Sequence, residues 1–179
     1  MDITVRRIEA SDRTEDFDCG NVQLNEYLRR YARQQQRRML GVTCIAVSSH
    51  PSPDTVIGYF TLANTSIPRD HIPEKLLKGI PQYQGLPAFL LGRLAVDRRM
   101  QRKRVGELLL SRCLECCLTI SKGSGARYLI AEAVPSAIAW YQRFGFQAIQ
   151  GAASPDLTKM LLDLAVVDAA IGRRTTGTS

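Results

Sequence analysis

The chain reads as one α/β domain with a mixed sheet, and three patterns predict it. Apolar strand-like runs alternate with helical periodicity along the length. Two of those runs, Val42 to Val47 and Val56 to Ala63, flank the turn sequence HPSPD as an antiparallel hairpin. A strand, a helix and a strand then follow at Ala88 to Val96, Val105 to Ile120 and Tyr128 to Ala133, the order of a parallel crossover. With 179 residues and 45% hydrophobic composition the chain can bury one core, and it shows no internal repeat or low-complexity block. The domain is expected to occupy 1–171, leaving 172–179, GRRTTGTS, as a mobile tail with nothing to bury.

The remaining elements follow in order. Ile3 to Ile8 opens as a short strand. Asn21 suits a helix N-cap, since its side-chain oxygen can accept from a backbone N–H of the first turn; Leu24, Leu28, Tyr31 and Ala32 then recur on one face up to Met39. The stretch from Ile67 to Pro87 is Pro-rich and irregular. A helix from Ser136 to Phe144 stops at Gly145, a residue free to take the left-handed conformation that ends helices. Phe146 to Ile149 begins a further strand, and Leu157 to Leu164 the last.

A net charge of +7 and a pI near 9.4 favour an anionic partner: nucleic acid, a nucleotide cofactor or an acidic protein. No apolar run reaches the roughly 18 residues that span a bilayer, and MDITVRRIEA lacks the apolar core of a signal peptide, so a cytoplasmic protein without membrane association is expected. Cys113, Cys116 and Cys117 share a helix without the paired spacing and histidines of a zinc site; buried thiols and no metal are expected. His50 and His71 fall in turn and irregular sequence, as ordinary surface histidines do.

The segment LLGRLAVDRRMQRKRVGELLL, Leu90 to Leu110, carries the chemistry. An apolar strand breaks into a loop and resumes as a helix, and six of the twelve residues from Arg93 to Arg104 are Arg or Lys. The start of a helix offers unpaired N–H groups and about half a positive charge, which suits a pyrophosphate. In isolation the same run also reads as a solvated basic loop.

Four blocks together resemble a known family. QRKRVG from Gln101 to Gly106 and AIAWYQRFGF from Ala137 to Phe146 resemble the GNAT N-acetyltransferases. FDCGNVQLNEYLRRYARQQQ near the N-terminus, IGYFTLA in the hairpin and LLGRLAVD before the turn resemble the GNAT toxins of bacterial toxin–antitoxin modules. The resemblance runs through Ile149. It implies the GNAT fold, a mixed and mostly antiparallel sheet with splayed central strands and flanking helices, and it implies acetyl-CoA as cofactor. Leu94, Ala95 and Val96 would pair with the pantetheine arm. The turn of Gln101, Arg102, Lys103, Arg104, Val105 and Gly106, running into Glu107, would hold the pyrophosphate. Tyr141 would protonate the leaving thiolate, since a tyrosine with a reference pKa near 10 keeps its proton at neutral pH; on helical pattern alone it reads equally as a packing aromatic beside Phe144.

Two positions depart from the family pattern. Arg104 stands where a glycine is expected. A positive φ there would cost a non-glycine residue about 1–2 kcal/mol, so a negative φ with the guanidinium turned to a phosphate is the expectation. Val134 stands where many relatives carry Asn or Asp, removing one polar contact to the cofactor.

Arg29, Arg30, Arg33, Arg37 and Arg38 fall within ten residues without an acid, and Arg98 and Arg99 add to them. Such a surface suits RNA phosphates, an acidic antitoxin segment, or plain solvation. The resemblance implies an acetyl-CoA-dependent toxin that acetylates the α-amine of aminoacyl-tRNA, with a ribbon-helix-helix antitoxin and a homodimer as partners. Two alternatives remain open on sequence: a GNAT acetyltransferase of a protein or small amine, and a catalytically impaired module that binds nucleic acid or an antitoxin.

Overall fold

The computed structural model describes residues 3–48, 55–152 and 154–175. Seven strands form one open sheet in the order β1-β2-β3-β4-β5-β7-β6: β1 (Ile3–Arg7), β2 (Val42–Ser48), β3 (Thr55–Pro68), β4 (Gly85–Val96), β5 (Tyr128–Ala133), β6 (Gln147–Ile149) and β7 (Thr158–Asp163). The β1/β2, β2/β3, β5/β7 and β6/β7 pairs are antiparallel, with a bulge between Ala46 and Val47. The helices are α1 (Val22–Glu26), α2 (Ala32–Arg37), α3 (Val105–Ser124), α4 (Pro135–Arg143) and α5 (Leu164–Thr175). No helix among the described residues is long and apolar enough to cross a membrane. The chain divides into two compact units, Met1–Ala63 with Leu91–Glu115 and Asn64–Leu90 with Cys116–Ser179.

The first unit is built around Tyr59 of β3. Its ring meets Phe17 edge-on at 5.6 Å and stacks with Tyr27 at 6.1 Å, and its hydroxyl donates to the Leu24 carbonyl at 2.8 Å. Burial pushes the Tyr59 phenol well above its ordinary pKa, so it serves here as a neutral donor. Asn21 caps α1 as its sequence predicts, accepting from Leu24 N–H at 3.1 Å. The expected single helix from Asn21 to Met39 is, however, interrupted by a π-helical turn, Tyr27–Tyr31, where Ala32 N–H reaches back five residues to the Tyr27 carbonyl. One extra residue in the turn rotates the helix faces. Tyr27 becomes buried and carries the Arg93 guanidinium 3.7 Å over its ring, while Tyr31, expected on the buried face, is 44% exposed.

Gly58 of β3 marks the tightest packing of this unit. A Cβ there would lie 2.8 Å from Leu109 Cδ1 of α3 and 3.0 Å from the Ala95 carbonyl oxygen of β4, so only glycine lets these three elements approach.

The second unit holds a core of Ile67, Ile72, Leu86, Ala88, Tyr128, Ile130 and Leu161. It contains most departures from the sequence reading. β3 continues past Ala63 to Pro68 because its polar stretch alternates in burial and delivers Ile67 to the core. Two short 3-10 turns, Arg69–His71 and Glu74–Leu76, order the Pro-rich segment, and β4 starts at Gly85. α4 ends at Gly145, φ 87°, as expected. The last strand gives way at Leu164 to α5: Asp163 Oδ1 accepts from Ala165 N–H at 3.0 Å, a cap hidden inside a strand-like run. α5 carries the backbone of the expected tail as far as Thr175, and 176–179 lie outside the described residues, as does the whole HPSPD turn with His50. All five cysteines are free thiols, with Cys44, Cys113 and Cys117 buried.

A buried ion pair closes the N-terminal loop. Asp12, 7% exposed, receives both Arg6 guanidinium nitrogens, at 2.9 and 2.6 Å, and Glu9 N–H at 2.7 Å. Burial alone would raise its pKa; the bonds from Arg6 and Glu9 outweigh this and lower it. A depressed carboxylate adds stability that is complete above its unfolded value, about 3.9, and disappears as pH falls through the lower folded value. Urea unfolding between pH 7 and 2 is therefore expected to show a shallower acid loss of stability in Asp12→Asn than in the parent. Parallel profiles would contradict it.

Candidate active site

β4 leads directly to the turn. Of Leu94, Ala95 and Val96, Ala95 is buried against Gly58 and the other two are partly exposed. Asp97 then caps a 3-10 turn, Arg98–Met100, accepting from Arg99 N–H at 3.0 Å, and Met100 is buried. Asp97 is 1% exposed and also receives Arg99 Nε and Nη2, each at 2.8 Å, and Asp18 N–H at 3.2 Å. Burial by itself would raise its pKa; the Arg99 side chain and the Arg99 and Asp18 amides more than reverse this, so it is anionic at neutral pH.

The expectation of a negative φ at Arg104 is wrong. Arg104 has φ 63° and Arg102 φ 62°, while Lys103 between them stays on the negative side. The cause is geometric: the chain must pass from extended Gln101, φ −62° and ψ 151°, into the first turn of α3 within three residues. Alternating the sign of φ does this, and backbone that alternates in handedness is the kind that can gather successive N–H groups about an anion. Gln101, Arg102, Lys103 and Arg104 are all exposed, whereas Val105 is a core residue; Gly106 and Glu107 are partly exposed. The strain at Arg102 escaped the sequence reading because no glycine was expected there.

Gln101 has a second task. Its Nε2 donates to the Val96 and Cys19 carbonyls, at 3.0 Å each, so its side chain braces the turn.

The arginines divide by partner. Arg30 pairs with Glu26 at 3.1 Å, Arg98 with Asp18 at 3.4 Å and Arg99 with Asp97, so their charges are opposed locally. Arg29 donates to the Phe17 carbonyl at 2.7 Å, and Arg33 to the Glu9 carbonyl at 3.0 Å and to that of Asp12. A carbonyl neutralises nothing, so Arg29 keeps its charge unopposed there, whereas Arg33 also feels the Asp12 carboxylate; both hold the loop before α1. Arg37 and Arg38 are exposed and make no ion pair with another described residue.

Tyr141 belongs to the second unit. It lies on α4, 7% exposed, with its ring edge-on to Trp140 at 5.0 Å and to Phe146 at 5.2 Å. Phe144, its expected neighbour, packs tilted against Trp140 at 4.9 Å. Val134 occupies the α4 N-cap with its side chain half exposed and gives no side-chain cap, as its chemistry dictates. In the same unit Arg69, Asp70, Glu74, Gln82 and Tyr83 help line an open groove of about 480 Å³. His71 is part-buried, its ring packed against Gly151.

Residues 41–148 match the profile of the acetyltransferase (GNAT) domain, more than half of the chain. The chain belongs to the GNAT acetyltransferase family. It is accordingly an acyltransferase that uses acetyl-CoA as donor. A tRNA-acetylating toxin of Mycobacterium tuberculosis is 30% identical over 146 residues, covering 79% of this chain and 82% of its own length. The probable toxin TacT of Sinorhizobium fredii is 22% identical over 165 residues, 87% of each. Among solved structures, AtaT complexed with acetyl-methionyl-tRNAfMet aligns with a TM-score of 0.85 at 26% identity, covering 95% of this chain and 99% of that one. AtaTR bound with acetyl-CoA aligns at 0.78 with 25% identity, covering 95% and 98%.

A GNAT turn with arginine at two left-handed positions carries measurable strain. Each costs about 1–2 kcal/mol, against about 0.5–1 kcal/mol of extra unfolded-state freedom that a glycine brings. Arg102→Gly and Arg104→Gly are each expected to raise stability by up to about 1 kcal/mol, a rise in Tm of roughly 2–4 °C by calorimetry. A fall in Tm would mean that the side chains make stabilising contacts larger than the strain.

Proposed function

We propose that this chain is the toxin of a toxin–antitoxin pair and acetylates the α-amine of the amino acid on charged tRNA. The observation that carries this is the company it keeps along nearly its whole length: a tRNA-acetylating toxin at 30% identity and AtaT with acetyl-methionyl-tRNAfMet at a TM-score of 0.85. The positive charges of Arg29, Arg37 and Arg38 support it, since a phosphate backbone is the partner that uses such charge without sequence reading. The family match spans both compact units, which supports reading residues 1–171 as one catalytic domain. A cytoplasmic location, an acidic ribbon-helix-helix antitoxin and a homodimer belong to the same proposal.

The turn suits a pyrophosphate because Arg102 to Arg104 are exposed and alternate in φ although arginine stands where glycine is expected. The shape of the site is thus kept at a cost in strain, which argues against a decayed, binding-only module. When bound, acetyl-CoA supplies the thioester carbonyl that the amine attacks. The backbone N–H groups from Arg102 to Gly106 would hold the two phosphates, and the exposed edges of Leu94 and Val96 would align the pantetheine arm. Tyr141 would keep its proton on Oη at neutral pH and deliver it to the departing sulfur. No general base is required for an aminoacyl ester, whose α-amine is less basic than a lysine and is more readily neutral.

Labelled acetyl-CoA incubated with charged tRNA, deacylated tRNA and a protein extract tests the reading. Label is expected on charged tRNA alone, and Tyr141→Phe is expected to lower kcat by about 10²-fold or more with acetyl-CoA affinity unchanged. Label on protein or small amines, with none on charged tRNA, would overturn the substrate assignment.

A further inference from the structure

We infer that Asp97 is a positioning residue for acetyl-CoA, acting through the knuckle of residues 17–21 that it ties to the end of β4. The inference rests on the cofactor site proposed above. A carboxylate that is 1% exposed survives as an anion only where donors surround it, and Asp97 has four, from Arg99 and from the Asp18 backbone. Its main chain is fixed as well: its N–H donates to the Ile57 carbonyl at 2.9 Å and its carbonyl accepts from Met100 N–H at 2.8 Å.

The knuckle answers each contact. Arg98 N–H donates to the Asp18 carbonyl at 2.8 Å, and the Gln101 amide reaches the Cys19 carbonyl. Gly20, φ 92°, leaves room for Arg98, whose Nε would stand 2.9 Å from a Cβ at that position. The knuckle is also closed on itself. Asp18 Oδ1 accepts from Gly20 N–H at 2.9 Å and Asn25 Nδ2 at 2.7 Å, and Asn25 Oδ1 accepts from Cys19 N–H at 2.9 Å.

Arg102, Lys103 and Arg104 have no burial of their own to hold a strained path. Their amide directions are inherited from anchored neighbours, Met100 and Gln101 on one side and buried Val105 on the other. Releasing the upstream anchor lets positive φ values relax and moves the amides off their common point. Asp97 touches no substrate or cofactor atom in this account; it sets where the turn points.

Calorimetric titration with acetyl-CoA, paired with steady-state kinetics on charged tRNA, separates positioning from mere stability. Asp97→Asn is expected to raise the acetyl-CoA Kd and KM about tenfold or more, with kcat at saturating cofactor within about twofold of the parent. Asp12→Asn removes the same kind of buried, arginine-paired carboxylate from the same unit but makes no bond to residues 96–101. It is expected to lower the unfolding midpoint comparably and leave the acetyl-CoA Kd within about twofold. Arg99→Lys keeps the charge, loses the two-pronged grip and is expected to fall between parent and Asp97→Asn; it decides the matter if Asp97→Asn does not fold. An unchanged Kd in folded Asp97→Asn or Arg99→Lys, or an equal rise in Asp12→Asn, overturns the inference alone. A parent that binds no acetyl-CoA overturns the cofactor site on which it rests.

Discussion

Asp97 carries a full negative charge where almost no water reaches it, and that charge persists because N–H donors from two distant stretches of chain close around it. Residues 17–21 and 96–101 are nearly eighty positions apart, yet neither can shift without uncovering a buried carboxylate. The cost of doing so is what keeps β4 ending where it does. From there the chain enters a turn that ordinary residues avoid, and on the far side Val105 drops into the space that Gly58 leaves between β3 and α3. A strained turn held between two firm anchors has little freedom to lose, so the proposed phosphates would meet a backbone that binding need not order.

The basic composition serves two purposes. Arg30, Arg98 and Arg99 are spent on carboxylates, and Arg99 in particular is part of the frame that holds the turn. Arg29 and Arg33 donate to carbonyls and so fasten the loop before α1; Arg29 adds its charge to the field of Arg37 and Arg38, while that of Arg33 is partly opposed by Asp12. The helix bearing them is broken by a π-turn at Tyr27–Tyr31, where Tyr27 lies beneath Arg93 of β4. The proposed RNA surface and the proposed cofactor strand thus share packing within one unit.

Much of this was legible in the residues. The hairpin, the N-cap at Asn21, the stop at Gly145 and the order of elements follow from periodicity and capping chemistry, which act over a few residues. What could not be read depends on contacts far along the chain. The π-turn accompanies the stacking of buried Tyr27 on Tyr59, and β3 runs on through polar sequence because its alternation feeds Ile67 to a core. α5 was hidden because its cap, Asp163, sits in a strand and is also gripped by Arg127 at 2.9 Å. At the site, the family resemblance picked out the turn and Tyr141 as candidates. It could not give the sign of φ at Arg102 or Arg104, nor single out Asp97 from the other acids, since both are fixed by partners at the other end of the unit.

The central claim is that the turn after β4 is already shaped for the pyrophosphate of acetyl-CoA. A crystal structure of the protein with acetyl-CoA bound tests it most directly. Phosphate oxygens within about 3 Å of the N–H groups between Arg102 and Gly106, with φ still positive at both arginines, is the predicted result. Phosphates seated elsewhere, or a turn whose φ values reverse to receive them, would contradict it.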